Sequence, residues 1–152
     1  MDAPGLIRDR ELAFLRELNE RGVRYLVVGL SAAALQGAPT ATVDVDLWIE
    51  DLDGAGFRSA LHEVGGAYVA PTAASPPLLV GENVALFDLV VHMSGMRSFA
   101  EEFAGATRMD VAGVDVPVLP LDRIIESKRA ARRPKDLAVL PALEATLRAR
   151  EF

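Results

Sequence analysis

Apolar positions along the chain follow two periods, and these divide it into alternating helices and strands. Over residues 8–21, Leu12, Leu15 and Leu18, with Phe14 alongside, recur at helical spacing on a charged background until Gly22, which predicts a first helix. Residues 23–28 (VRYLVV) are short and β-rich, which predicts a strand ending at Gly29. Residues 31–36 are rich in alanine and predict a small helix, broken by Gly37, Ala38 and Pro39. Residues 42–49 (TVDVDLWI) alternate cleanly: Asp44, Asp46 and Trp48 share one face of a strand, and Val43, Val45, Leu47 and Ile49 share the other.

Beyond that strand, residues 52–64 predict a surface helix, and residues 65–77 read as loop with a short strand over 67–70. Residues 83–93 (NVALFDLVVHM) predict a second long strand, with Asp88 as the lone acid in an apolar run. Ser98 caps a short helix over 98–104, with Glu101 at the capping-box position. Residues 107–111 and 114–118 flank Ala112-Gly113 as a hairpin, and two helices follow over 120–131 and 134–148, each opened by a proline. There is no repeat, low-complexity run or long linker. The order predicts one α/β (α+β) domain over residues 1–152, a mixed sheet flanked by helices. Its core spans about residues 23–118, and a helical C-terminal segment spans about 120–150.

Composition narrows the chemistry. The 152 residues include no cysteine and two histidines, which removes disulfides, thiol nucleophiles and cysteine-ligated zinc and leaves little for a His-rich metal site. Sixteen basic against 22 acidic residues give a net charge of −6, which argues against a broad nucleic-acid-binding surface. The first residues lack a signal-peptide pattern, and no uncharged stretch resembles a membrane span, so the expected location is cytoplasmic, with no membrane partner. Catalysis would have to come from carboxylates, hydroxyls and local basic residues.

The strand acids are the leading candidates. Two positions apart on a strand, Asp44 and Asp46 aim their carboxylates to one side, where their repulsion is relieved by a hard divalent cation, and Asp88 could add a third ligand from a second strand. Three such acids can hold two ions that clamp the attacking and leaving oxygens of a phosphoryl transfer. The plainer alternative is the solvated face of a half-covered sheet. Trp48 on the same face is either a lid or a base platform, His92 a strand-end histidine, and His62 an ordinary helix residue.

Two other features bear on phosphate. Gly29 ends a strand and opens a helix with Ser31 in its first turn, which suits an anion but also serves turn geometry alone. Arg123, Lys128, Arg129, Arg132, Arg133 and Lys135 concentrate charge in one short stretch, which also reads as a solvated helix end. Asp136 beside them can be an N-terminal helix acid.

In combination these blocks resemble the DNA polymerase β-like nucleotidyltransferase superfamily, with its Gly-Gly or Gly-Ser turn, short helix and acid-x-acid strand. The finer texture resembles the small bacterial AbiEii-type branch. YLVVGLSAAALQGAPTATVDVDLWI is similar to that branch's opening block, FDLVVHMSGMRSFAEEF to its third-acid strand and following helix, and LDRIIESKRAARRPKDLAVLPALE to its C-terminal block. The resemblance covers roughly residues 23–147 and implies a nucleotidyltransferase-type mixed sheet. It further implies Asp44, Asp46 and Asp88 as catalytic metal ligands, and Gly29 and Ser31 in the triphosphate turn. Lys128 would face the phosphates, with Arg133, Lys135 and Asp136 in support. The implied cofactor is Mg²⁺ or Mn²⁺, as two ions, with an NTP as substrate. The implied acceptor is a tRNA end, a protein or a small molecule, and the implied setting is a toxin–antitoxin pair with a cognate partner. Two positions depart from the pattern: Leu30 stands where a small residue is usual, and Thr40 where an arginine is common. They motivate the alternative of a catalytically degenerate member acting as a nucleotide- or protein-binding, antitoxin-like partner.

Overall fold

The computed structural model describes residues 7–42 and 44–150. Helix α1 (Asp9–Glu20) buries Leu12, Phe14, Leu15 and Leu18, the stripe its spacing dictates. It leads into β1 (Tyr25–Val28), all four residues of which are buried. The short helix α2 (Gly29–Leu35) begins at once, two residues earlier than the alanine run suggests, and β2 (Val45–Ile49) follows. The strand alternation holds: Val45, Leu47 and Ile49 are buried, whereas Asp46 and Trp48 are half-buried on the opposite face. Asp44 lies one residue outside the paired strand, and Val43 lies outside the described residues.

The chain continues through α3 (Ala55–Glu63), β3 (Ala67–Val69), β4 (Leu78–Val80), β5 (Phe87–Leu89), α4 (Phe99–Ala104), β6 (Thr107–Val111), β7 (Val114–Val118), α5 (Leu121–Ala131) and α6 (Pro134–Ala149). The main sheet has the order β5-β2-β1-β7-β6, mixed as expected: β1–β2 and β6–β7 are antiparallel, and β1–β7 and β2–β5 are parallel. Ser98 caps α4 by accepting from the Glu101 N–H, and the hairpin strands keep their expected bounds.

Two segments differ from the sequence expectation. The apolar run over residues 83–93 is strand only at Phe87–Leu89, because β5 is an edge strand that pairs with β2 over three residues. Ahead of it the chain turns, burying Val84 in the core while the Asn83 amide donates to the Val64 carbonyl (2.9 Å). His92 is therefore not a strand-end residue; it sits in the loop after β5. The other difference is β4, which pairs with β3 as a separate antiparallel ribbon where the sequence pattern assigned no element. Periodicity gave no sign of it, since three residues are too few to show a period. No described helix is long and apolar enough to cross a membrane.

Candidate functional site

Antiparallel pairing of β1 with β2 brings the end of β1 to the start of β2, with Val28 opposite Asp46. Parallel pairing on the other side sets Asp88 in register with Asp46. Neighbouring strands lie about 4.8 Å apart, so the two carboxylates become close neighbours although they stand 42 positions apart in the sequence. Asp44 also opposes ionisation of Asp88, so the three acids form one electrostatically coupled cluster. Among the described residues, no three histidine, aspartate or glutamate side chains are arranged so that they could hold a metal ion.

The cluster is electrostatically strained. Burial pushes the Asp46 carboxyl up to about 6, reinforced by Asp88 and Asp44, while Lys128 pulls it back toward ionisation. Asp88, more open to solvent, is raised by the partial desolvation of its carboxyl and then by Asp44.

Gly29 has φ +66°, a left-handed conformation that L side chains rarely adopt, and a Cβ added there would run into the Asp46 carboxylate. Ser31 works from beneath the site. Its fully buried hydroxyl donates to the Val28 carbonyl (2.7 Å) and accepts the Asp46 N–H (3.0 Å). That hydroxyl is turned inward as a brace for the strand that carries Asp46, and it does not open to the phosphate position the resemblance implied.

Above Gly29 and Asp46 lies a cleft of about 370 Å³ between the sheet end, the loop after β5, and α5 with the start of α6. Lys128 and Arg133 line it, as do His92, Met93 and Ser94. Both cations converge on Asp136, a wholly buried carboxylate. Lys128 Nζ lies 3.2 Å from Oδ1, and Arg133 Nε donates to Oδ2 at 2.7 Å. The Arg133 backbone N–H adds a bond to Oδ2 at 3.2 Å. Burial raises Asp136, but these bonds outweigh it and hold the carboxyl down to about 2. Arg132, in the left-handed region at φ +57°, makes the tight turn that lets α6 fold back so that Asp136 meets Lys128. Lys135 is exposed on the first turn of α6 and does not line the cleft.

Of the residues singled out from the sequence, Gly29, Asp46, Lys128, Arg133 and Asp136 line this one cleft, whereas Asp44, Asp88, Ser31 and Lys135 do not. Sequence reasoning missed the cleft wall at His92–Ser94, for which an apolar strand-like run carries no signal, and the buried Glu102, whose neighbour Glu101 takes the recognisable cap position.

No family model matches this chain, and no curated protein sequence matches it. Similarity appears among solved structures. ANT(2'')-Ia in complex with adenylyl-2''-tobramycin is 17% identical, with TM-score 0.59, over 91% of this chain and 88% of that one. The solution structure of the antibiotic-resistance factor ANT(2'')-Ia is 16% identical, with TM-score 0.53, over 93% and 92%. An antigenic nucleotidyltransferase-like protein from Paracoccidioides brasiliensis is 16% identical, with TM-score 0.53, over 90% and 77%. This chain therefore has the fold of these nucleotidyltransferases.

Proposed function

We propose that this protein is a metal-dependent nucleotidyltransferase that moves a nucleoside monophosphate from an NTP to a hydroxyl acceptor. The observation that carries the reading is the register of Asp46 with Asp88, beside a glycine that leaves the Asp46 carboxylate uncovered. Asp44, Asp46 and Asp88 supply the hard oxygens that suit Mg²⁺ or Mn²⁺ and oppose one another's ionisation, and these three would draw together to hold the two ions. When bound, the ions would neutralise charge on the phosphates and favour ionisation of the acceptor hydroxyl.

The protein's own groups divide the remaining work. Gly29 leaves room for the phosphate chain next to Asp46, and Ser31 braces that strand. Lys128 and Arg133 face the triphosphate from the other side of the cleft, with Lys135 farther out. The acceptor oxygen forms a bond to the α-phosphorus while the bond from that phosphorus to the bridging oxygen breaks. Pyrophosphate leaves toward Lys128, and the hydroxyl proton passes to Asp88, the exposed acid of the edge strand. Positioning and charge stabilisation carry such a transfer.

Titration of the purified protein with each NTP in Mg²⁺ tests this directly. Binding is expected, and it should be lost in the Asp44→Ala/Asp46→Ala double variant; no binding, or binding indifferent to those acids, would sink the proposal. The AbiEii-type resemblance extends the reading to a toxin–antitoxin setting, in which expression of the active chain alone would arrest growth and expression of Asp88→Ala would not.

One observation favours a second reading, a nucleotide-binding partner that no longer catalyses. Both cleft cations are already bonded to Asp136, so part of their charge is spent inside the protein. Transfer of label from NTP to any component of a cell lysate, abolished by Asp88→Ala, would reject this alternative.

A further inference from the structure

Glu102, in the first turn of α4, is 3% exposed, and an acid so deep persists only with strong partners. Arg123 of α5 supplies two bonds, Nε at 3.0 Å and Nη2 at 2.6 Å, and the Arg97 backbone N–H supplies a third at 2.9 Å. Arg123 hydrogen bonding holds the carboxyl below its usual range. The same guanidinium donates to the Gly95 carbonyl at 3.2 Å. One ion pair thus grips the β5–α4 loop at two backbone points.

Gly95 adds a third constraint. Its φ is +73°, and a Cβ there would stand 2.9 Å from the Ala130 Cβ and 3.2 Å from the Glu126 carbonyl. The loop therefore lies flat on α5. Immediately before Gly95, His92, Met93 and Ser94 form the cleft wall, together with Lys128 from the same stretch of α5. None of the three anchors belongs to the acid cluster. A hydrophobic pair of similar volume would stabilise the domain as well or better. A two-pronged guanidinium that also holds a carbonyl, facing a carboxylate that also takes an N–H, fixes the path of a chain besides.

We propose that the Glu102–Arg123 pair is a positioning device that seats the 92–98 loop as a wall of the cleft, so that the site is pre-shaped for a nucleoside triphosphate. This rests on the nucleotide reading of the cleft given above. Preorganisation of this kind strengthens binding by removing the ordering that the ligand would otherwise impose.

Hydrogen exchange by mass spectrometry, with and without ATP and Mn²⁺, reads the loop directly, and calorimetric titration reads affinity. In Glu102→Gln and in Gly95→Ala, exchange over residues 92–98 should rise about tenfold while the β6–β7 hairpin is unchanged. Affinity for ATP–Mn²⁺ should weaken about fivefold in both. Arg123→Lys, which keeps charge but not the fork, should fall between these variants and the wild type. If Glu102→Gln does not fold, Arg123→Lys carries the test of the pair, and Gly95→Ala, which leaves the ion pair untouched, tests whether the seating of the loop governs affinity. Faster loop exchange with unchanged affinity would overturn the positioning role, as would loop exchange in the variants that matches that of a wild type able to bind ATP. Failure of the wild type to bind any NTP would instead overturn the cleft reading, and the ligand half of this proposal with it.

Discussion

The carboxylate of Asp46 rests directly against Gly29, in the space that a side chain at that position would occupy. Antiparallel pairing across Val28 and Asp46 forces the contact, and the positive φ of Gly29 keeps its hydrogen-bearing face toward the acid. Substitution tests the relationship simply. Gly29→Ala would combine left-handed strain with displacement of Asp46. The expected result is a loss of about 1–3 kcal/mol in thermal or urea unfolding together with loss of NTP binding.

Asp46 makes a prediction with a definite sign. Its carboxyl is raised to about 6 in the folded protein, against an ordinary value near 3.8. The folded state therefore binds the proton more tightly. Its stabilising contribution is complete below about pH 4 and is lost as pH rises through 6. Without divalent ions, Asp46→Asn should be the more stable protein at pH 7.5, by about 1–2 kcal/mol after allowance for solvent screening. That gain should disappear at pH 4, where both side chains are neutral, and Mn²⁺ should stabilise only the wild type. Thermal unfolding at the two pH values, with and without the ion, provides the check.

Asp136 shows the opposite sign. Held at about 2 by Arg133 and Lys128, it stabilises the fold above its unfolded value near 3.8, and that contribution drains away as pH falls from about 4 to about 2. Asp136→Asn removes the charge that two cations share, so it should cost about 3 kcal/mol at pH 7 and much less at pH 2. Urea unfolding at both pH values measures the difference.

Ser31→Ala would leave the Val28 carbonyl and the Asp46 N–H without their buried partner. A loss of about 1–3 kcal/mol is expected, with nucleotide affinity falling through the displaced acid and not through a lost phosphate contact. The two routes separate in a salt series. The affinity ratio between variant and wild type should be independent of ionic strength, whereas a lost contact with the charged phosphate would make it vary with salt.

Much of this protein follows from local pattern. The stripe of Leu12, Leu15 and Leu18, the alternation through Asp46 and Trp48, and the Ser98 cap each reflect neighbours a few residues apart, so sequence by itself determined those elements and singled out the strand acids as candidates. Where pairing partners decide, it could not. The run around Val84 is as apolar as any strand, yet it turns into the core because the edge strand β5 has only three residues of β2 to pair with. Glu102 carries no mark separating it from Glu101, and only the approach of Arg123 from α5 makes one a buried anchor and leaves the other at the surface. Likewise the basic block could have been a solvated helix end. The left-handed turn at Arg132 is what folds α6 back and commits Lys128 and Arg133 to Asp136. Residue type and short spacing set which groups can do chemistry. Which of them meet depends on strand register and helix docking, interactions between segments far apart in the chain that only the folded molecule contains.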